Sequence, residues 1–250
     1  MQPQAAPLPR PIATGIVAAL LVCATVAWLV TISQASSMGL GGMVMMSAAL
    51  FLITWLVMMV AMMFPSVAPM VLAYASVTRA RSEGYVPTAA FVLGYLIVWT
   101  AAGLVPLAVL QAVNEIWMMP PSWLPRVGGA AIVVAGIYQF TPLKFACLRA
   151  CRSPLGFILS HDFGRGAPSA VRAGASHGLY CLGCCWALMV VLAVIGLMNI
   201  AWMAVIAAVF FIEKNVRFGD MLPRAVGVAC VAGGLAVIAW PWLLAGPRPM

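Results

Sequence analysis

Ala173 to Ile195 reads AGASHGLYCLGCCWALMVVLAVI, a run with no Asp, Glu, Lys or Arg. About 20 apolar residues in a helix cross a hydrocarbon core about 30 Å thick, so this stretch has the length and composition of a membrane span. His177 to Met189 (HGLYCLGCCWALM) places an imidazole, three thiols and a thioether inside it. On a helix turning about 100° per residue, His177, Cys181 and Cys184 fall within about 60° of one another, with Cys185 on the flank and Met189 further round. Thiolates and thioethers suit soft ions and imidazole suits several transition ions, which puts Cu(I) first and Zn second. One Cys in such a helix is a small hydrophobe. Three beside a histidine mark a functional site, because an ionisable group inside a membrane is costly. Cys184 and Cys185 do not make an ordinary disulfide, since neighbouring Cα atoms lie about 3.8 Å apart.

The rest of the chain is of the same kind. Of its 250 residues, 65% are hydrophobic and 7% charged, and the mean hydropathy is +1.09, far from a soluble domain. Such runs satisfy their own backbone as helices and lack the alternation of a barrel, so an all-α polytopic transmembrane bundle of about seven helices is expected. It forms a single integral membrane domain over 1–250, with a short disordered tail over 1–11. The charge of +8 is spread among the connections, which argues for topology determinants and against a nucleic-acid partner. Seven Cys without secreted-domain spacing do not form a disulfide framework. Paired carboxylates, a phosphate-binding loop and a nucleophile triad are absent from the sequence, against a hydrolase or a nucleotide-driven pump.

In chain order, Ile12–Ile32 is the first span, too long for a signal-peptide core and read as uncleaved; its Cys23 is a packing thiol. Met43–Tyr74 is the second. It is expected to kink at Pro65 and Pro69, just after Met58, Met59, Met62 and Met63, whose i, i+4 pairs lie on adjoining faces. These four are packing residues or thioether ligands. Pro87–Leu110 is the third span and Arg126–Thr141 a shorter fourth. Tyr138–Pro154 (YQFTPLKFACLRACRSP) follows as a basic edge stretch in which Cys147 and Cys151 share a helical face beside Lys144, Arg149 and Arg152. Leu155–Arg172 is the longest connection, with His161 a weak ligand candidate. The fifth span opens on Gly174-x-x-x-Gly178, a spacing that lets helices approach closely. The sixth ends near Ile212, and Glu213, Lys214, Arg217, Asp220 and Arg224 form a charged loop before the seventh, Ala225–Leu244.

Seven spans put Arg10, Arg79, Arg81, Lys144, Arg149, Arg152, Arg165, Arg172, Lys214, Arg217 and Arg224 on the side of the N-terminus, and only Arg126 and Arg248 on the other. The positive-inside rule then places the N-terminus in the cytoplasm. With that orientation, the methionines, the Cys147/Cys151 pair and the fifth-helix thiols all reach the cytoplasmic leaflet.

MMVAMMFPSVAPM, YQFTPLKFACLRACRSP, HGLYCLGCCWALM and GLMNIAWM, in this order, resemble a bacterial family of unknown function described as predicted metal-binding integral membrane proteins. The resemblance covers roughly Met43 to Lys214. It implies a multi-pass helical protein of the bacterial cytoplasmic membrane with Met58, Met59, Met62, Met63, Cys147, Cys151, His177, Cys181, Cys184 and Cys185 as metal ligands. The function expected is soft-metal handling, most simply of Cu(I), in the lipid bilayer, with a metal donor or acceptor protein or another membrane protein as partner. Two alternatives stand beside it: a membrane thiol-disulfide oxidoreductase using Cys181 and Cys184, and a noncatalytic subunit of a membrane complex.

Overall fold

The computed structural model describes residues 8–37, 46–112, 121–160, 164–216 and 220–245. Among these the regular structure is helical, without strands: α1 (Arg10–Ser37), α2 (Ala48–Ala80), α3 (Val86–Ala112), α4 (Leu124–Tyr138), α5 (Pro142–Arg152), α6 (Pro154–Ser160), α7 (Gly166–Ile195), α8 (Ile200–Asn215), α9 (Met221–Ala239) and α10 (Trp242–Ala245). The all-α class is as expected. Helix α1 already begins at Arg10, within the stretch read as a tail. His161, Arg217 and most of the connections at 36–42 and 111–125 lie outside the described residues.

Five helices, α1, α2, α3, α7 and α9, are long and apolar enough to cross a membrane, and α4 with α5 adds a sixth that is bent by 64°. Helix α8 has 16 residues, about 24 Å at 1.5 Å per residue, against a core of about 30 Å. The seven spans expected are therefore carried by length and composition only for five, or six with the bent pair. Outward faces are apolar: Leu21, Val22 and Leu29 on α1, Val105 on α3 and Val228 on α9 are all exposed. Leu20, Ala24, Ala27 and Thr31 make the buried stripe of α1, which packs on α2. Cys23 falls off that stripe and is exposed rather than packed.

The helix directions follow from side-chain pairs. Tyr74 stacks on Phe91 and the Trp55 indole donates to the Trp99 carbonyl at 2.8 Å, so α2 and α3 are antiparallel. Helices α3 and α7 run parallel with almost no gap, because a Cβ on Gly174 would meet the Phe91 carbonyl and one on Gly178 would meet Val98 and Tyr95. This is the close approach expected of the Gly-x-x-x-Gly spacing. Gly136 faces Gly227 and Gly129 faces Gly234, which sets α9 antiparallel to α4. At Gly196 the chain turns back with φ +127, a conformation that only glycine adopts easily. Helix α8 then returns along α7 far enough to bring Lys214 level with Cys181.

Two departures from regular helix shape the centre. Pro65 and Pro69 lie inside α2 and deprive the carbonyls of Ala61 and Pro65 of their helical donors; in the same stretch Ser66 Oγ donates to the Met63 carbonyl at 2.9 Å, and the Asn215 amide of α8 donates to the Ser66 carbonyl at 3.4 Å. Thr141 is extended ahead of Pro142, and its side chain accepts from the Lys144 amide. A residue before proline avoids the helical region and proline suits a first helical position, so Thr-Pro ends α4 and starts α5 in a new direction. The bend lays α5 across α7 and buries Lys144, Cys147 and Leu148. The segment read as a basic membrane edge is therefore part of the core at its first two turns.

Candidate metal centre

His177, Cys181, Cys184 and Cys185 of α7 are all buried. Positions three and four apart share a helix face, and the sulfurs of Cys181, Cys184 and Cys185 lie within 4.8 Å of one another. Cys184 Sγ is 3.4 Å from Cys185 Sγ and 3.2 Å from the Cys181 carbonyl, to which it donates. From α5, Cys151 Sγ comes to 3.9 Å from Cys184 Sγ. All seven cysteines are free.

The other predicted ligands divide. Cys147 is turned one helical turn away from Cys151 and fills the space left by the missing side chain of Gly183. His177 lies one turn before Cys181 but outside the thiol group; its ring sits between Phe91 and Tyr95, each centroid 6.0 Å away, with Phe157 edge-on at 5.5 Å. Its Nδ1 is buried without a hydrogen-bond partner among the described residues. Met58, Met59, Met62 and Met63 are fully buried in α2, in the core cluster that also holds the thiols.

Sequence reasoning missed Lys214. Its Nζ donates to Cys181 Sγ at 3.1 Å, to Ser66 Oγ at 3.4 Å and to Met63 Sδ at 3.6 Å. The Tyr95 hydroxyl lies 3.2 Å from the same Cys181 sulfur. The first two residues of the expected charged loop are helix instead: Glu213 and Lys214 are in the last turn of α8 and both are buried. The signal was available, since a Glu-Lys pair closing an apolar run without turn residues extends a helix. A buried ammonium needs a partner, and what this pocket offers it among the described residues is the Cys181 sulfur.

Glu213 faces the opposite way. Lys144 Nζ donates to Glu213 Oε2 at 2.7 Å and to the Cys184 carbonyl at 2.7 Å, with Lys144 and Glu213 at 0% and 1% exposure. Arg152 Nε donates to the Glu213 carbonyl at 2.7 Å. Two neighbouring residues at the end of α8 thus engage the thiol-bearing turn of α7, Lys214 directly and Glu213 through Lys144. Beside the thiols lies a cavity of about 150 Å³ lined in part by Ser66, Cys151, Arg152, His177, Lys214 and Asn215.

A helical bundle that buries three thiols within reach of one ion has the donor set of a soft-metal-binding protein. A family model described as PpoB2: Copper chaperone matches residues 52–237, and the chain belongs to that family. The matched stretch contains all four motifs that carry the resemblance to metal-binding membrane proteins. No curated protein and no solved structure matches the chain.

Proposed function

We propose that the protein is an integral membrane carrier of Cu(I), which holds the ion as cargo at Cys181 and Cys184, uses Cys185 as a facultative third ligand, and exchanges it with a donor or acceptor protein through Cys151. The observation that carries this reading is the triad of buried thiols with the Lys214 ammonium on Cys181. Two thiolates, one Cu(I) and one ammonium sum to zero charge, which is the arrangement a buried site tolerates. Zinc favours four ligands in a tetrahedron, and it is the second choice because His177 stands apart from the thiols. Met63 and its neighbours offer thioethers to an ion in transit, and Cys147 serves packing.

Membrane residence is supported by the helices long enough to span and by their apolar outward faces. The arginines at 10, 79, 81, 165 and 172, near the ends of α1, α2 and α7 that lie on the N-terminal side, favour a cytoplasmic N-terminus in a bacterial cytoplasmic membrane. In that orientation the thiols lie near the middle of α7, Cys181 being the sixteenth of its 30 residues.

The test is copper stoichiometry and competition against a Cu(I) chelator, in detergent under reducing conditions. One Cu(I) per chain is expected for the unaltered protein and none retained by Cys181→Ser/Cys184→Ser. Unchanged binding in the double variant would sink the site.

A further inference from the structure

Among the described residues, the charged groups that line the cavity beside the thiols are of one sign. Lys214 and Arg152 line it, and its other lining residues, Ser66, Val67, Pro69, Met70, Cys151, Pro154, His177 and Asn215, include no carboxylate. Asp220, half exposed, stands 3.6 Å from an Arg152 terminal nitrogen and offsets part of that charge from outside. Lys214 has no carboxylate contact among the described residues; its ammonium points at a sulfur. Pro69, also on the wall, is exposed. On the wall, His177 is 2% exposed and its Nδ1 has no partner among the described residues, a buried polar atom of the kind that normally has one. Among the thiols only Cys151 lines the cavity; Cys184 lies 3.9 Å beyond it and Cys185 a further 3.4 Å on.

A bare copper cation entering here approaches a wall that carries Lys214 and the partly offset charge of Arg152, whereas Cu(I) between two thiolates carries a net charge of −1 and is drawn in. We propose that the cavity receives copper as an anionic Cu(I) bis-thiolate, with both thiolates belonging to the donor and Cys151 the first sulfur of this chain to take the ion. This rests on the copper reading above and adds the form in which the cargo arrives. In the first exchange the bond from Cu(I) to one donor sulfur breaks as the bond to Cys151 Sγ forms, and the Cys151 thiol proton passes to the released donor thiolate. The copper stays Cu(I), and the complex keeps its charge. The same exchange at Cys184 frees the second donor thiol, and the anionic complex then sits on protein sulfurs beside Lys214. A volume of 150 Å³ is about that of five waters at about 30 Å³ each. It admits the sulfur end of a donor, either a small thiol such as glutathione or a cysteine-bearing loop of a protein.

The experiment follows copper loading of the purified protein by stopped flow, across a range of salt, from three sources: Cu(I)–glutathione, Cu(I) on a Cys-x-x-Cys peptide, and Cu(I) as its acetonitrile-stabilised cation. Loading from one or both thiolate donors should slow as salt rises, and whichever does so identifies the donor class, while loading from the cation should not slow. Arg152→Gln should reduce the thiolate-donor rate about three- to tenfold and flatten its salt dependence, and Arg152→Lys should restore both. The salt series on the unaltered protein stands even if Arg152→Gln fails to fold. Thiolate-donor rates that ignore or rise with salt, or an Arg152→Gln variant that loads faster, would overturn the proposal. Failure to retain copper from any source would instead remove the copper reading itself.

Discussion

Lys214 Nζ lies 3.1 Å from Cys181 Sγ, with Lys214 at 7% and Cys181 at 1% exposure. On the proposed copper reading, an ammonium so deeply placed against sulfur would be a fixed counter-charge for a thiolate-bound ion. Lys214→Met should therefore weaken Cu(I) binding by about 10- to 100-fold, the usual effect of removing a residue that supports a metal ligand from behind. The melting temperature of the copper-free protein should fall less than that loss implies, because the substitution also relieves the desolvation of a buried charge. Lys214→Arg, which keeps the charge, should bind with intermediate strength. Chelator competition gives the affinities, and equal binding by all three proteins would exclude the counter-charge role.

Cys147 and Cys151 look equivalent in the sequence, four residues apart beside the same basic residues, yet α5 directs them to different places. Cys147 packs against Gly183, and Cys151 reaches Cys184. Cys147→Ser should leave copper stoichiometry at one per chain, whereas Cys151→Ser should slow copper uptake and release by about tenfold or more, as expected when the group that positions a transferred ion is lost. Cys23→Ser, on the exposed face of α1, is the matching silent control. Rates for Cys151→Ser equal to those of Cys147→Ser would remove Cys151 from the transfer route.

The helical class and the thiol triad were legible because both depend on local spacing: apolar runs give helices, and i, i+3, i+4 gives one face. The partners of the triad were not. Lys214 and Glu213 counted as loop charges because positional reasoning at a membrane assigns a basic residue to the edge, and only the return of α8 along α7 turns them inward. Lys144 was misplaced for the same reason: what buries it is Glu213, 69 positions away in the chain. The break at Thr141-Pro142 went unread, although a residue before proline avoids the helical region; Pro65 and Pro69, where a kink was expected, lie inside α2.

Helices α3 and α7 touch backbone to backbone at Gly174 and Gly94. Since the obstacle at Gly174 is the Phe91 carbonyl rather than the end of a side chain, Gly174→Ala should force the two helices apart and destabilise the protein by about 1–3 kcal/mol, as overpacking does. Tyr95 rides on the same helix as Phe91 and places its hydroxyl on Cys181, so copper affinity should fall together with the melting temperature. Gly233→Ala, where an added Cβ meets nothing within 4 Å, provides the comparison. A Gly174→Ala variant that melts no lower than Gly233→Ala would show that the contact is not tight.

The Lys144–Glu213 pair is nearly inaccessible to solvent on both sides, and Lys144 is also hydrogen-bonded to the Cys184 carbonyl. Removing one partner leaves a buried charge without its counter-ion, at a cost of about 3–5 kcal/mol, whereas removing both often costs little. Glu213→Gln alone should therefore lower the melting temperature sharply, and Lys144→Met/Glu213→Gln should recover most of the loss. Copper affinity should not recover in step, because the double variant still lacks the ammonium that holds the Cys184 carbonyl and with it the turn carrying Cys184 and Cys185. Thermal unfolding and chelator competition on the four proteins of the cycle measure both quantities. If the double variant regained stability and copper affinity together, the pair would serve the fold alone, and the orientation of the thiol-bearing turn would have to come from Tyr138, whose hydroxyl donates to the Gly183 carbonyl at 2.7 Å.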